Sequence, residues 1–217
     1  MDFETRELLN GIVVYADMMN NINTKFYKLI QENTEKAFHE NEQLFYEIIS
    51  EIIRVLPIHK SKDGKGIVGP NTTSGIMLLH PKITFLLEDY QRIVNNDAYE
   101  QILLDISYVR NKFIHEPHNI RATFYVGGKT SSSMGLYYKE RLCSVSTIKL
   151  TNIIYELNIV FGKLKVFFIE KVDECEDLYK EYPCYKAMMS YDFEKYCTDF
   201  GRVPEWMLDE KEIESEL

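Results

Sequence analysis

Apolar residues recur at steps of three and four along most of the chain, the spacing that stacks side chains on one face of a helix. Phe3, Leu8, Leu9, Ile12, Tyr15, Met19, Ile22, Phe26 and Leu29 predict a first helix over 3–30. Phe38, Leu44, Phe45, Ile48, Ile49, Ile52, Ile53 and Leu56 predict a second over 34–56, stopped by Pro57. The polar stretch HKSKDGKGIVGPNTTSG then reads as a long loop. A third helix is predicted over 76–95, with Pro81 near the start of its regular part. Asn95, Asn96 and Asp97 turn the chain, and Asp97 with Glu100 forms a capping box for a fourth helix. That helix ends by Glu116, because the residue before Pro117 is held out of the α region.

The period changes over 121–142. ATFYV and GLYYKERL are aromatic and β-branched, and GGKTSSSMG lies between them, which predicts a β-hairpin with a flexible tip. Ser146 is placed to cap a long helix over 146–174, carried by Ile148, Ile153, Ile154, Leu157, Val160, Phe161, Leu164, Phe167 and Phe168. A shorter aromatic helix is predicted near 184–199. The expected fold is all-α, an up-and-down helical bundle with a β-hairpin inserted near residues 121–142. The expected organisation is a bundle over 1–175, a helical extension over 176–204 and an acidic tail over 205–217.

Composition admits a full core, since 45% of the 217 residues are apolar. No run reaches the ~18–20 apolar residues that span a bilayer. The charged start, MDFETRELLN, opens a helical pattern rather than a leader, so a soluble cytoplasmic protein away from membranes is expected. Cys143, Cys175, Cys184 and Cys197 form no CxxC pair and no zinc spacing, and read as thiols in a reducing compartment. The net charge of -9 seems to oppose a nucleic-acid partner, but its placement changes that. Residues 170–217 hold 15 acidic and 6 basic side chains, which is the whole of the excess. Basic positions remain at Arg54, Lys60, Lys62 and Lys65, and at Arg110, Lys112, Arg121 and Lys129.

Two short runs imitate known sites and fail on context. GKGIVG spells a dinucleotide loop, but it follows a helix and precedes Pro70, whereas that loop needs a strand before it and a helix after it. His115 and His118 flank Glu116 and Pro117, and the proline denies them the helical spacing that places two imidazoles on one metal. No metal site and no cofactor are expected.

The fourth helix ends on YVRNKFIHEPH. Arg110 lies four residues after Ile106 and three before Phe113, on the apolar stripe. A guanidinium there must be paired, or must face a groove or a partner; an ion pair inside the bundle is the plain alternative. His115 lies five residues on, about 140° round and ~7.5 Å along a regular helix. The two can meet if the last turn unwinds before Pro117, or if two copies of the helix end face one another across a dimer. Histidine moves protons near neutral pH. Arginine binds phosphate in a bidentate fork. With Asn111 to orient them, the pair suits attack by a ribose 2′-hydroxyl on its own 3′-phosphate, a reaction that needs RNA and no metal.

At these residues the chain resembles the HEPN superfamily, all-α proteins whose ribonuclease members carry R-x(4–6)-H with a polar residue after the arginine. Here the match is Arg110, Asn111 and His115, within VRNKFIHEP, and the likeness extends over about 1–175. The resemblance implies a homodimer with a composite site, metal-independent endoribonuclease activity, and a place in antiviral defence or toxin–antitoxin biology, with a cognate antitoxin or defence protein as partner. It implies His115 as general acid and base, Arg110 as phosphate binder and Asn111 as a positioning residue. Lys112 and His118 stand near them as further RNA contacts. Other members bind nucleotides or proteins without catalysis, and that non-catalytic module is the alternative.

Overall fold

Seven α-helices and five strands make up the described part of the chain, which is mostly helical. The computed structural model describes residues 2–31, 38–56, 59–60, 67–68, 81–115, 120–127, 131–138, 141–174 and 183–200. The acidic tail over 205–217 lies outside the described residues.

Helix α1 (Phe3–Gln31) starts at Asp2. The Asp2 carboxylate accepts from the Thr5 amide at 2.6 Å and from the Thr5 hydroxyl at 2.9 Å, which satisfies amides that a helix start leaves open. Those bonds, with Lys82 beside them, hold its pKa down at about 2. Helix α2 (Phe38–Val55) packs on α1. Lys25 meets Glu47 at 3.1 Å, as two antiparallel helices joined by a short connection allow.

Between α2 and the next helices the chain makes a small two-stranded pairing, β1 (His59–Lys60) with β2 (Ile67–Val68), His59 opposite Val68. This falls inside the stretch expected to be loop. It also places Ile67 and Val68, two residues of GKGIVG, in a strand; the rest of that run lies outside the described residues. The third helix expected over 76–95 is shorter than its pattern. Residues 76–80 lie outside the described residues, Pro81–Leu86 form a 3-10 turn, and only Leu87–Val94 are α-helical, as α3. Pro81 has no amide to donate, and Ile83 and Thr84 are β-branched, so the tighter, shorter form wins there.

Helix α4 (Asp97–His115) follows, then a three-stranded antiparallel sheet in the order β3 (Ile120–Gly127), β4 (Ser131–Tyr138), β5 (Arg141–Ser146). A single two-stranded hairpin over 121–142 is therefore not what forms. The expected second strand divides: Tyr138 pairs with Arg141, and β5 runs back along β4 until Ser146 faces Ser133. β5 leads directly into helix α5 (Thr147–Asp173), whose first residue follows Ser146, the position assigned to its cap. The helix expected over 184–199 is two helices, α6 (Pro183–Ser190) and α7 (Phe193–Phe200). Asp192 breaks it, because its carboxylate accepts from the Lys195 amide at 3.0 Å and starts α7 afresh.

Helices α1, α2, α4 and α5 close a ring in which each packs on the next and α5 returns to α1. Its interior is filled by Ile12, Met19, Ile22 and Phe26 of α1, Phe45, Ile48 and Ile52 of α2, Leu103 and Ile106 of α4, and Ile153, Leu157, Phe161 and Phe168 of α5, all fully buried. α6 and α7 add to the same core through Met188 and Phe193; the Phe161 and Phe193 rings lie 5.7 Å apart. Lys165 donates to the Met189 and Tyr191 carbonyls and ties the α6 end to α5. Tyr191 donates to Asp17 of α1 at 2.7 Å.

Two polar side chains inside this core are matched to one another. Asn23 of α1 donates to Asn158 of α5 at 2.7 Å and accepts from it at 2.8 Å, both residues being at most 1% exposed. Asn158 also donates to the Ile154 carbonyl at 2.9 Å. Replacing one member strands the amide of the other, at a cost of roughly 1–3 kcal/mol. Asn23→Leu and Asn158→Leu are each expected to lower unfolding free energy by about that amount in urea titrations. The double variant is expected to lose less than the sum, since no orphaned amide is left.

Candidate functional site

The α4 start is fixed by Asn96. Its side-chain oxygen accepts from the Ala98 amide at 2.9 Å, and its carbonyl accepts from the Tyr99 and Glu100 amides. The capping role expected of Asp97 with Glu100 thus belongs one residue earlier. Asn96 is the residue left outside the first turn, so its side chain is the one that reaches the open amides.

From there Tyr99, Ile102, Leu103, Ile106 and Val109 are buried at 0–3% exposure. Asp105 is buried with them and accepts from Gln101 at 3.0 Å, one turn back. Arg110 follows Val109 at the margin of this stripe, half-buried, and it is engaged rather than free. β5 and β2 pack on α4, so the helix is flanked by the sheet and by the small pairing.

For Asn111, Lys112 and His115 the structure gives the helical backbone, with His115 as the last residue of α4. An unwound last turn, freeing His115 from helical register ahead of Pro117, is therefore not found. Residues 110 and 115 keep the ~140° and ~7.5 Å offset of one regular helix. The reason is that Pro117 restricts the residue before it, Glu116, and leaves His115 free to stay helical. His118 lies outside the described residues. Within one chain Arg110, Asn111 and Lys112 stand at successive positions of α4, each about 100° round from the last, and His115 follows about 1.4 turns after Arg110. Among the described residues no group of three His, Cys, Asp or Glu side chains could hold a metal, and no helix is long and apolar enough to cross a membrane.

A second feature went unseen in the sequence. At the other end of α4, between α3, α4 and α5, a cleft of about 190 Å³ is lined by Arg92, Asn96, Tyr99, Tyr155, Glu156 and Ile159. Arg92 Nη2 donates to Asp89 at 3.3 Å and to Glu156 at 3.0 Å, and Lys163 pairs with Asp89 from outside. Both carboxylates are at least nine-tenths buried, while both cations are about half exposed. The sequence signal was Glu156 within the apolar run of the long helix, an acid with no visible reason to be there. Nearby, Cys197 donates to the Tyr155 carbonyl at 3.8 Å, and burial beside Glu156 and Glu194 pushes its thiol pKa up.

No family model matches the chain, and no curated protein or solved structure matches it. The reading therefore rests on the residues themselves.

The Asn96 cap is directly checkable. Asn96→Ala is expected to cost about 1 kcal/mol of stability, because the Ala98 amide loses its acceptor. Asp97→Ala is expected to cost clearly less. Urea unfolding of the two variants side by side distinguishes a cap at 96 from one at 97.

Proposed function

We propose that the chain is a metal-independent endoribonuclease of HEPN type, with an HEPN-like bundle, acting as a homodimer through the Arg110-x4-His115 site. The observation that carries this reading is the end of α4. A half-buried arginine and a histidine share the last turns of a core helix, held by the bundle yet out of register with one another. One chain alone gives them no common focus. Two copies facing one another across a dimer supply it.

In that site His115 takes the proton from a ribose 2′-hydroxyl as its oxygen attacks the adjacent phosphorus. Arg110 offsets the charge that builds on the phosphorane oxygens. The bond from phosphorus to the 5′-oxygen breaks, and that oxygen takes a proton from an imidazolium. The products are a 2′,3′-cyclic phosphate and a 5′-hydroxyl. Asn111 positions the phosphate, and Lys112 and His118 bind the flanking strand. Defence or toxin–antitoxin biology in the cytoplasm, with a cognate antitoxin or defence partner, is the setting that accords with such an activity.

The engaged state of Arg110 gives weight to one other reading, a nucleotide-binding or protein-binding module in which that arginine only braces the bundle. Kinetics separates the two. Purified dimer is expected to cut RNA in EDTA and to leave cyclic phosphate ends. His115→Ala is expected to slow it by about 10²–10⁴ with the melting temperature unchanged, the range of a lost general acid or base. RNA left intact by the dimer, or cut equally well by the variant, would overturn the ribonuclease reading.

A further inference from the structure

Helix α5 is enclosed on three sides and open on the fourth. Glu156 and Lys163 face α3, where they bond Arg92 and Asp89, and the Phe167 ring lies 5.8 Å from Phe85 just before that helix. Phe161 faces Phe193, and the Tyr155 carbonyl accepts from Cys197, so α7 covers another side. Leu157, Leu164 and Phe168 fill the core. At about 100° per residue, Tyr155, Ile159, Gly162 and Val166 fall within about 60° of one another, in the sector between α3 and α7. Tyr155 and Ile159 are half-buried, and Val166 is 55% exposed. A Cβ on Gly162 would meet no atom of the described residues within 4 Å. These four make the floor of an apolar groove, ~16 Å long. At Tyr155 and Ile159 it opens into the cleft beside Arg92.

The end of α7 decides what can reach this groove. Phe193 meets Phe161 and Cys197 meets Tyr155, so α7 runs antiparallel to α5 and stops, at Phe200, beside the Tyr155 end. Residues 201–217 lie outside the described residues. Their sequence starts GRVPEWML. Gly201 and Pro204 are residue types that end a helix and turn the chain. Trp206 comes six residues after Phe200, within reach of ~20 Å of extended chain. It is the one tryptophan of the protein, and with Met207 and Leu208 it makes an apolar run in a segment that is otherwise acidic. The cleft suits that side chain. Tyr99, Tyr155 and Ile159 give ring and apolar surface, and Asn96 gives a polar partner for a ring that carries an N–H. Arg92 puts a guanidinium in the lining, and of the aromatic rings an indole attracts a cation best.

We propose that residues 204–208 dock in this groove, with the Trp206 ring in the cleft between α3, α4 and α5, and Met207 and Leu208 over Ile159, Gly162 and Val166. The occupant is the chain's own C-terminal segment rather than a second copy, because α7 delivers that segment at the mouth of the groove. A tether this short holds the ring at roughly millimolar effective concentration, so a contact too weak to capture a free peptide suffices within one molecule. Docked there, the segment ties α7 to α3 and α4. It also shields Asp89, Arg92 and Glu156 from water, where their ion pairs are stronger.

Trp206 reports on itself, because no other indole contributes to the emission of the full chain. That emission is expected to lie to the blue of free tryptophan, to resist quenching by acrylamide, and to be the same at every protein concentration. Gly162→Lys puts a long side chain into the open space, leaning toward Ile159 as helical side chains lean toward the N-terminus. It is expected to move the emission to the red and to raise the quenching constant several-fold, with the melting temperature unchanged. Trp206→Ala leaves the groove intact. It is expected to move the amide shifts of Arg92, Asn96, Tyr99 and 155–166, through loss of the ring current. A wild-type emission like that of free tryptophan would overturn the proposal. So would an emission that changes on dilution and thereby marks a second copy, no response to Gly162→Lys in a folded variant, or amide shifts away from the groove.

Discussion

Two asparagines inside an apolar core restrict how this bundle can assemble. Asn23 and Asn158 each supply what the other lacks, a donor for an acceptor in both directions. A slip of α1 against α5 by one turn, ~5.4 Å, would set each amide against hydrocarbon and cost more than a single hydrophobic contact returns. Apolar side chains tolerate many registers, whereas this pair tolerates one. With α1 and α5 fixed, α2 closes on α1, α7 on α5 and α6 on α1, and the sheet lies against α4 and α5.

Helix α4 inherits its place from that frame, and the proposed function follows from its regularity. Its start is held by Asn96, its middle by a buried stripe, and its end stays helical through His115. A straight helix cannot aim residues five apart at one point. In the proposed site the arginine and histidine converge through a second copy of the chain, which turns a question of catalysis into one of assembly. The same rigidity separates the two ends of α4, so the cleft at Arg92 and the cluster at Arg110 are distinct places on one strut.

Much of the frame was legible because periodicity reports burial. Most of the positions that the spacing marks in α1, α2 and α5 are buried, whereas Phe3, the first of them, is 76% exposed. What escaped was decided by single polar groups. Asn23 and Asn158 look like interruptions of an apolar stripe, and only a contact 135 residues away explains them. Asn96 and Asp97 both suit a cap, and geometry chose the first. Asp192 divided one expected helix into two. The sheet gained a strand because RLCSVS is too short to stand out beside the helix it leads into. At the site, Arg110, Asn111 and His115 stood out as a set by residue type and spacing, whereas the Arg92–Glu156 cleft joins residues 64 apart that share no local pattern.

The central claim is that Arg110 of one subunit works with His115 of another. Mixing inactive Arg110→Ala and His115→Ala proteins under conditions of subunit exchange tests it most directly. The account predicts that RNA cleavage returns to roughly a quarter of wild type, because about half of the dimers are mixed and each rebuilds one of two symmetric sites. Mixed dimers that form and stay inactive would contradict it.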